Sequence, residues 1–502
     1  MSRRTATPWL VIALCVSCTA RPARFVDAPP VTRVGDDAPI PLPERSSVIG
    51  PVYSTEVYVR RPLVFALEAR RVREAQDINA LDNVPPSSWY SPPATDAASF
   101  ARAYEHEGPP EPPWTVVRAP KGSAVEVRDA RGVHYEISAD PPGRPHTASA
   151  AAAIATRLVR ALGYRTEPTW VQRADPSRIS GAAPAQLESG TVWQIRRWPL
   201  GIYLGPTDPS NRRRDDPNDR VKPTERRTLR VLGLVAGWLE IPDFGPKRLA
   251  DVYLGVPGRG HVQHFVVGLS ASLGAAALAK QDPVVSAAGT VQGSMGWNLI
   301  TLGLHRPDEH AEQTSLTVFR PRVEDAHALS LPYDPSDHLL PGDGYWFAKR
   351  LLRISNAFIA RAIDEANLPD PALVGHLRSA IAARRDQLAA RLMKQVTPCE
   401  LAGLTPELLS LSDSALGNNM GGRTGSAYRV SFLTENGEPL MQTVRMSSSL
   451  GDLDVALPTT VRERDYTIVR VLGERDGKLL PRAMELHLSA RNGRPYVIGV
   501  RH

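Results

Sequence analysis

Residues 227–275 place the strongest restriction on the fold, because they combine a helix, a polar loop and two strands in one continuous run. The helix is predicted over Thr228–Leu239, where apolar residues recur at three- and four-residue intervals. The loop that follows contains Pro and Gly, which end helices. The predicted first strand, turn and return strand are Leu249–Leu254, Pro257–Gly260 and Val262–Val267.

The segments on either side of this run predict an α+β fold with a β-rich part before it and a helical part after it. Three short strands precede an alanine-rich helix that reaches Leu162 and is closed by Gly163. The predicted strands are Trp114–Arg118, Ala124–Arg128 and Val133–Ser138. Two long amphipathic helices follow the central run. They are predicted at about Tyr345–Ala366 and Pro371–Val396.

The pattern of apolar and polar residues changes after Pro398. Residues 427–502 alternate apolar and polar side chains, and dipeptides typical of hairpin turns separate the alternating runs. These residues are therefore predicted to form a small antiparallel β domain of five or six strands. Residues 401–426, which are rich in Gly and Asn, are predicted to be the linker to it.

Several short sequence motifs occur in a fixed order, and as a set they resemble those of a group of uncharacterised exported bacterial proteins with a HipA-like or phosphoinositide-kinase-like core. The motifs begin at Asn79, Ser87, Asp129, Asp140, Arg160 and Asp215, and the 228–275 block completes the set. The resemblance implies a two-lobed protein-kinase-like core. Residues 51–165 would hold an N-terminal segment and the small lobe, and residues 166–400 the helical lobe.

The same resemblance implies five site positions, and four of them carry a substituted residue. Ser138 stands where such proteins offer a Lys for phosphates, and Ala152 where a Glu would pair with that Lys. Asp243 matches the catalytic base, whereas Arg248 replaces the metal-binding Asn and Gly268 the metal-binding Asp. No metal or cofactor is therefore expected. Arg248 is a candidate for binding an anion in place of a metal.

The N-terminus resembles a bacterial export signal. Arg3 and Arg4 precede a short apolar run that ends in Val16-Ser17-Cys18, and this run is too short to span a bilayer as a mature helix. Residues 1–18 are predicted to be a lipoprotein signal peptide with lipidation at Cys18. The alternative is an ordinary secretory peptide cut after Ala20 or Ala23. Residues 19–50, rich in Pro, Arg and Asp, are predicted to be a flexible tether.

Nucleic acid is not an expected partner, because the net charge of +7 is spread along the chain. The densest basic run, Arg212-Arg213-Arg214, is followed at once by acidic residues and is interpreted as a solvated loop of mixed charge. The third cysteine, Cys399, is interpreted as a packed small residue.

The sequence leads to one main hypothesis for function and two alternatives. The main hypothesis is an envelope-anchored lipoprotein with a non-catalytic, kinase-like core that binds an unknown envelope protein or glycan. One alternative is an exported phosphotransferase that uses Asp243. The other is a glycan-binding surface protein whose aromatic side chains stack on sugar. The candidate aromatic residues are Trp89, Tyr90, Trp297 and Trp346.

Overall fold

The computed structural model describes an α+β structure. The residues that it describes are 24–45, 55, 59–60, 63, 72–93, 110–118, 124–140, 143–180, 187, 192–208, 212–242, 244–278, 311–313, 316–323, 334–420, 426–448 and 450–502.

The first sheet has six strands. The strands are β1 (Trp114–Arg118), β2 (Ala124–Arg128), β3 (His134–Ala139), β4 (Thr169–Arg173), β5 (Ile179–Ser180) and β6 (Val192–Arg197). Their order across the sheet is β4-β6-β3-β2-β1-β5. Helix α1 (Ala148–Ala161) lies between β3 and β4 in the chain. Strands β4 and β6 join this sheet, so the sheet extends to Arg197, beyond residue 165 where the small lobe was predicted to end.

Helix α1 begins where the Asp140 carboxylate accepts hydrogen bonds from backbone N–H groups. The donors are Thr147 N and Ser149 N, both at 3.0 Å, and Ser149 Oγ adds a third bond at 2.7 Å. Desolvation raises the pKa of Asp140, although these bonds oppose the rise. The cap satisfies N–H groups at the start of the helix that have no partner inside it. It also fixes the angle at which the chain leaves β3.

The central run 227–275 folds much as its periodicity predicts. The predicted helix is present but divides at Val231 into α2 (Arg227–Arg230) and α3 (Leu232–Leu239). A second sheet contains β7 (Ile202–Pro206), β8 (Leu249–Leu254) and β9 (His261–Val266), in that order and antiparallel. The predicted bounds of β8 are confirmed, and β9 begins and ends one residue earlier than predicted.

Helix α3 is buried over its whole length and packs against the longest helix of the helical part, Pro371–Met393. The helices are α4 (Asp334–Asp337), α5 (Pro341–Leu352), α6 (Asn356–Asp364) and α7 (Pro371–Met393). Trp238 of α3 is fully buried and donates from Nε1 to the carbonyl oxygen of Ile381 at 3.1 Å. Strands β10 (Ala276–Leu278) and β11 (Ala311–Gln313) form a separate antiparallel pair. The predicted first long helix, Tyr345–Ala366, is two helices, because α5 ends at Leu352 and Ser355 caps α6.

The C-terminal residues form two sheets that share one apolar core. One sheet contains β12 (Cys399–Leu404), β13 (Leu408–Asp413) and β16 (Asp452–Ala456). The other contains β14 (Ala427–Leu433), β15 (Pro439–Met446), β17 (Thr467–Arg475), β18 (Lys478–Leu479), β19 (Met484–Arg491) and β20 (Arg494–Arg501). Two short helices, α8 (Ser414–Gly417) and α9 (Thr459–Arg462), complete this part.

The predicted linker at 401–426 is wrong for most of its length. Residues 399–417 are two paired strands and a helix, and Leu409 and Leu411 are buried in the core that both sheets share. Residues 421–425 lie outside the described residues. Apart from Gly403 in β12, the Gly and Asn residues that indicated a linker occur at the end of this segment, after the alternating Leu and Ser side chains of β13.

The predicted flexible tether is also wrong for residues 24–45. Phe25 donates from its backbone N to Tyr466 Oη at 2.9 Å and its ring lies edge-on to His487, 4.8 Å between centroids. Ile40 is 3% exposed and forms a β-bridge with Gly260. The composition hides these contacts, because single apolar residues separated by Pro and Asp give no periodic pattern.

Candidate functional site

The candidate site begins at the end of α3, where the helix stops and the polar loop starts. Glu240 adopts a left-handed conformation with φ of 48°. Arg384 of α7 donates from Nε to the carbonyl oxygen of Trp238 at 2.8 Å and from Nη1 to Glu240 Oε1 at 2.6 Å. The guanidinium thereby satisfies a carbonyl group that has no partner within the helix. These bonds fix the position from which the loop starts.

The loop ends at Arg248, whose guanidinium bonds to backbone atoms on both sides of the site. Nη1 donates to the carbonyl oxygen of Gly268 at 2.6 Å, and Nη2 donates to that of Pro242 at 3.3 Å. The backbone N of Val267 also donates to the Arg248 carbonyl oxygen at 2.9 Å. Nη1 therefore ties the loop to the residues after β9, and Nη2 ties the end of the loop to its start. This geometry favours a structural role for Arg248 over the predicted anion-binding role.

Gly268 follows β9 in a left-handed conformation, with φ of 68° and ψ of 36°. A Cβ atom added there would lie 2.8 Å from Arg248 Nη1. A side chain at this position therefore meets both an unfavourable backbone conformation and the guanidinium. The two substituted positions fit each other, because the Arg side chain occupies the space next to the Gly.

Ser138 and Ala152 lie where the first sheet meets α1. Ser138 pairs with Ala124 and Gln194 on the neighbouring strands, and its side chain is half-buried. Ala152 is 3% exposed within α1. The turn after Gly268 also contacts this helix, since Ser272 Oγ donates to the carbonyl oxygen of Ala151 at 3.4 Å. The fold thus brings α1 next to Gly268 at the end of β9. Neither Ser138 nor Ala152 carries a charge that could bind a phosphate group.

A small cavity of about 30 Å³ lies beside Gly268. Its lining residues are Thr156, Glu167, Gln194, Arg196, Val266, Val267, Gly268, Leu269 and Ser270. A cavity of this volume holds about one water molecule. Ligand pockets usually measure about 300–1,000 Å³, so this one is roughly tenfold too small for a nucleotide.

The cation in this cavity is Arg196, which the sequence reasoning missed. Its Nη2 lies 2.5 Å from Glu136 Oε1 and its Nη1 lies 2.9 Å from Glu167 Oε2. Burial raises the pKa of Glu167, and the ion pair with Arg196 opposes that rise. The alternation of polar and apolar side chains along β6 could have identified Arg196 from the sequence. Gln194 and Arg196 share the face opposite the core residues Trp193 and Ile195. Two carboxylates thus balance the charge of Arg196.

Asp243, the candidate base, lies outside the described residues. Cys18 and Trp297 also lie outside them. In the part of the chain that the structure describes, no helix has the length and apolar character needed to cross a membrane. No group of three or more His, Cys, Asp or Glu side chains within the described ranges is arranged to hold a metal ion.

The three described aromatic residues of the glycan hypothesis are buried. Trp89, Tyr90 and Trp346 are 2%, 0% and 1% exposed, respectively. The Trp89 ring stacks on His264, with centroids 3.7 Å apart and planes at 9°, and Tyr90 lies edge-on to Trp346 at 5.5 Å. These rings join the N-terminal segment to the core. They are not accessible to a sugar, so the structure contradicts this hypothesis for all three residues.

The basic run at 212–214 is not simply solvated. Arg213 is 5% exposed and forms ion pairs with Asp215 at 2.9 Å and with Asp251 at 3.1 Å. Asp219 of the same loop pairs with Arg226 at 2.8 Å. The interpretation as a solvated loop is therefore wrong for Arg213, because this side chain is buried and pairs with Asp251 of β8.

Cys399 is the first residue of β12 and is fully buried as a free thiol. Burial raises the pKa of this thiol well above its usual range. A thiol held in its neutral form is a poor nucleophile. The structure therefore agrees with the interpretation of Cys399 as a packed small residue.

No family model matches this chain, and no curated protein matches it. Several solved structures are similar to it at low identity, and they include kinases. A proinflammatory kinase of Helicobacter pylori, CtkA, is 10% identical, with a TM-score of 0.33, covering 56% of this chain and 97% of its own. The Golgi casein kinase is also 10% identical, with a TM-score of 0.29, covering 71% of this chain and 94% of its own. The same kinase with Mn/ADP bound gives the same values.

Proposed function

We propose that this protein is a non-catalytic, kinase-like protein that is exported as a lipoprotein and acts by binding a partner in the bacterial envelope. The contact between Arg248 and Gly268 is the observation that carries the proposal. In a kinase these two positions would hold magnesium through an Asn and an Asp. Here Nη1 of Arg248 donates to the Gly268 carbonyl oxygen at 2.6 Å, so the two positions bond to each other.

The order of the elements supports a kinase-like core. Three antiparallel strands, a helix and further strands of the same sheet precede the buried helix α3. The polar loop and the β8–β9 hairpin then follow, and α5–α7 complete a helical part. This is the order in which the resemblance places a small lobe, a catalytic loop and a large lobe. The extra β-sandwich formed by β12–β20 offers a second surface for a partner.

The substituted positions are expected to lower the rate of phosphoryl transfer by a large factor. Phosphoryl transfer depends on metal ions and cations that neutralise phosphate charge, with little covalent work by the protein. Removing a single stabilising donor from such a site costs about 3–4 kcal/mol, or up to about a thousandfold in rate. Both metal positions and the Lys position are substituted here. Arg196 does not replace the Lys, because Glu136 and Glu167 already pair with it.

Thermal denaturation in the presence of ATP tests the proposal. We expect magnesium to produce no increase in the ATP-dependent shift of the melting temperature, because no described residue supplies the missing metal ligands. An active protein kinase in the same buffer is the positive control, since a ligand at a hundredfold excess over its Kd stabilises by about 2.7 kcal/mol.

The opposite result would support the exported phosphotransferase that uses Asp243. A clear magnesium-dependent shift that Asp243→Asn abolishes would overturn the non-catalytic proposal. A magnesium-dependent shift that Asp243→Asn leaves intact would place a metal elsewhere and would also contradict it.

Anchoring through Cys18 is tested by fractionating cells that express the full chain. We expect Cys18→Ala to move the protein from the membrane fraction to the soluble fraction. Stable anchoring requires more than one acyl chain, and these chains are attached through this cysteine in a bacterial lipoprotein. Cys399→Ala is the matched control, because that thiol is buried and is expected to leave the distribution unchanged. A Cys18→Ala protein that stays in the membrane fraction would show that the anchor lies elsewhere.

A further inference from the structure

A larger pocket, of about 440 Å³, lies at the connection between the first sheet and β7. Its walls come from the end of α1, the segment leading from α1 to β4, the residues after β6, strands β8 and β9, and Phe358 of α6. This volume is within the range of small-molecule sites.

The pocket lies on the opposite side of these strands from the cavity beside Gly268. Arg196 and Val266 line the small cavity, whereas their chain neighbours Arg197 and Phe265 line the larger pocket. Adjacent residues of a strand point to opposite faces. A ligand in the larger pocket would therefore not depend on the kinase-like cleft.

The lining of the pocket contains four arginines and no carboxylate. They are Arg157, Arg160, Arg165 and Arg197. Arg157 pairs with Glu365 at 2.8 Å. Arg165 and Arg197 make no ion pair with any carboxylate in the described part of the chain, and Arg165 donates from Nη1 to the carbonyl oxygen of Ser88 at 2.9 Å. Burial lowers the pKa of Arg165, and the nearby Asp36 carboxylate, which forms no ion pair with it, only partly opposes that fall.

Several apolar side chains complete the lining. Pro92, Pro93, Leu200, Leu254, Phe265 and Phe358 supply the apolar walls. Leu200 is 68% exposed, so it lies at the open side of the pocket.

We propose that this pocket binds a small organic anion that carries one sulfate, carboxylate or phosphate group on an apolar chain or ring. Arg165 and Arg197 would bond to the anionic group, and the Pro, Leu and Phe side chains would cover the apolar part. The C-terminal end of α1 opposes an anion, but a helix end carries only about half an elementary charge. The two guanidinium groups of Arg165 and Arg197, neither of which forms an ion pair within the described part of the chain, outweigh it.

Isothermal titration calorimetry of the full chain with octyl sulfate, below its micelle concentration, tests the proposal. We expect octyl sulfate to bind at least tenfold more tightly than either 1-octanol or inorganic sulfate, because each of those lacks one half of the recognised ligand. Arg197→Ala is expected to weaken the binding of octyl sulfate about tenfold, as the loss of a charge-assisted hydrogen bond predicts. Arg259→Ala is the control, since Arg259 is exposed in the β8–β9 turn and does not line the pocket.

A matched pair of variants at Leu200 separates the effect of charge from that of shape. Leu200→Glu and Leu200→Gln have nearly the same size, and the high exposure of this position lets both fold. We expect Leu200→Glu to bind octyl sulfate about tenfold more weakly than Leu200→Gln. Equal affinities of these two variants, no binding of octyl sulfate, or equally tight binding of 1-octanol would each overturn the proposal. None of these results would affect the interpretation of the Arg248–Gly268 contact.

Discussion

Replacing Asp343 with asparagine is expected to lower the free energy of unfolding by about 3–5 kcal/mol, because it leaves buried cations without their counter-ion. Asp343 is 1% exposed and lies 2.9 Å from Nε of Arg227 and 2.9 Å from Nη1 of Arg230. Its carboxylate also accepts a hydrogen bond from the backbone N of Leu340, at the start of α5. Equilibrium unfolding in urea measures the loss.

Asp386→Asn is the matched control for this prediction. Asp386 also pairs with an arginine, Arg385 at 2.7 Å, but its side chain is 49% exposed. Ion pairs in contact with water contribute about 0–1 kcal/mol, so this substitution should change the unfolding free energy little. Equal losses for Asp343→Asn and Asp386→Asn would show that the buried network contributes no more than a surface pair.

The network around Asp343 joins segments that are far apart in the sequence. Arg227 also pairs with Asp82 at 2.7 Å, and Asp82 contacts Nδ1 of His502 at 2.8 Å. Burial would raise the pKa of Asp82, but Arg227 and His502 hold it well below its usual range. The backbone N of Val500 donates to the carbonyl oxygen of Ala80 at 2.8 Å nearby. Strand β20 and the N-terminal segment are therefore fixed to the helical core together.

These long-range contacts explain why the predicted domain boundaries were less accurate than the predicted elements. The bounds of β8 follow from its own apolar residues, flanked by Pro and Gly, and the sequence predicted them correctly. The sheet partners of β4 and β6 lie tens of positions away in the sequence, and Phe25 bonds to the β-sandwich at Tyr466, 441 positions later. Local periodicity carries no information about such pairs.

In the candidate site, too, the sequence indicated the residue types but not the contacts between residues that are distant in the chain. The sequence marked Arg248 and Gly268 as substituted positions, each by comparison with an expected residue type. It did not predict that the Arg248 guanidinium would bond to the backbone of Gly268, since that contact depends on how the loop folds back onto β9. It also missed Arg196, whose pairing with Glu136 and Glu167 is visible only once β3 and β6 are neighbours.

Replacing Gly268 with alanine is expected to cost about 3–4 kcal/mol of unfolding free energy. The left-handed backbone accounts for about 1–2 kcal/mol of this loss. The remainder comes from displacing the Arg248 guanidinium, whose hydrogen bond to a carbonyl group is of the charge-assisted kind worth about 1.5–3 kcal/mol. Gly258→Ala is the control, because Gly258 has a similar φ of 85° in the β8–β9 turn but nothing within 4 Å of an added Cβ.

A double-mutant cycle assigns the difference between these two glycines to the contact with Arg248. In an Arg248→Ala background, the cost of Gly268→Ala should fall to about that of Gly258→Ala, which gives a coupling of about 1.5–3 kcal/mol. A cost that stays the same in both backgrounds would show that the guanidinium does not restrict this position. The expected coupling has a consequence for the design of variants. An aspartate placed at residue 268 alone would meet the guanidinium of Arg248, so introducing a metal ligand at this position requires both residues to change together.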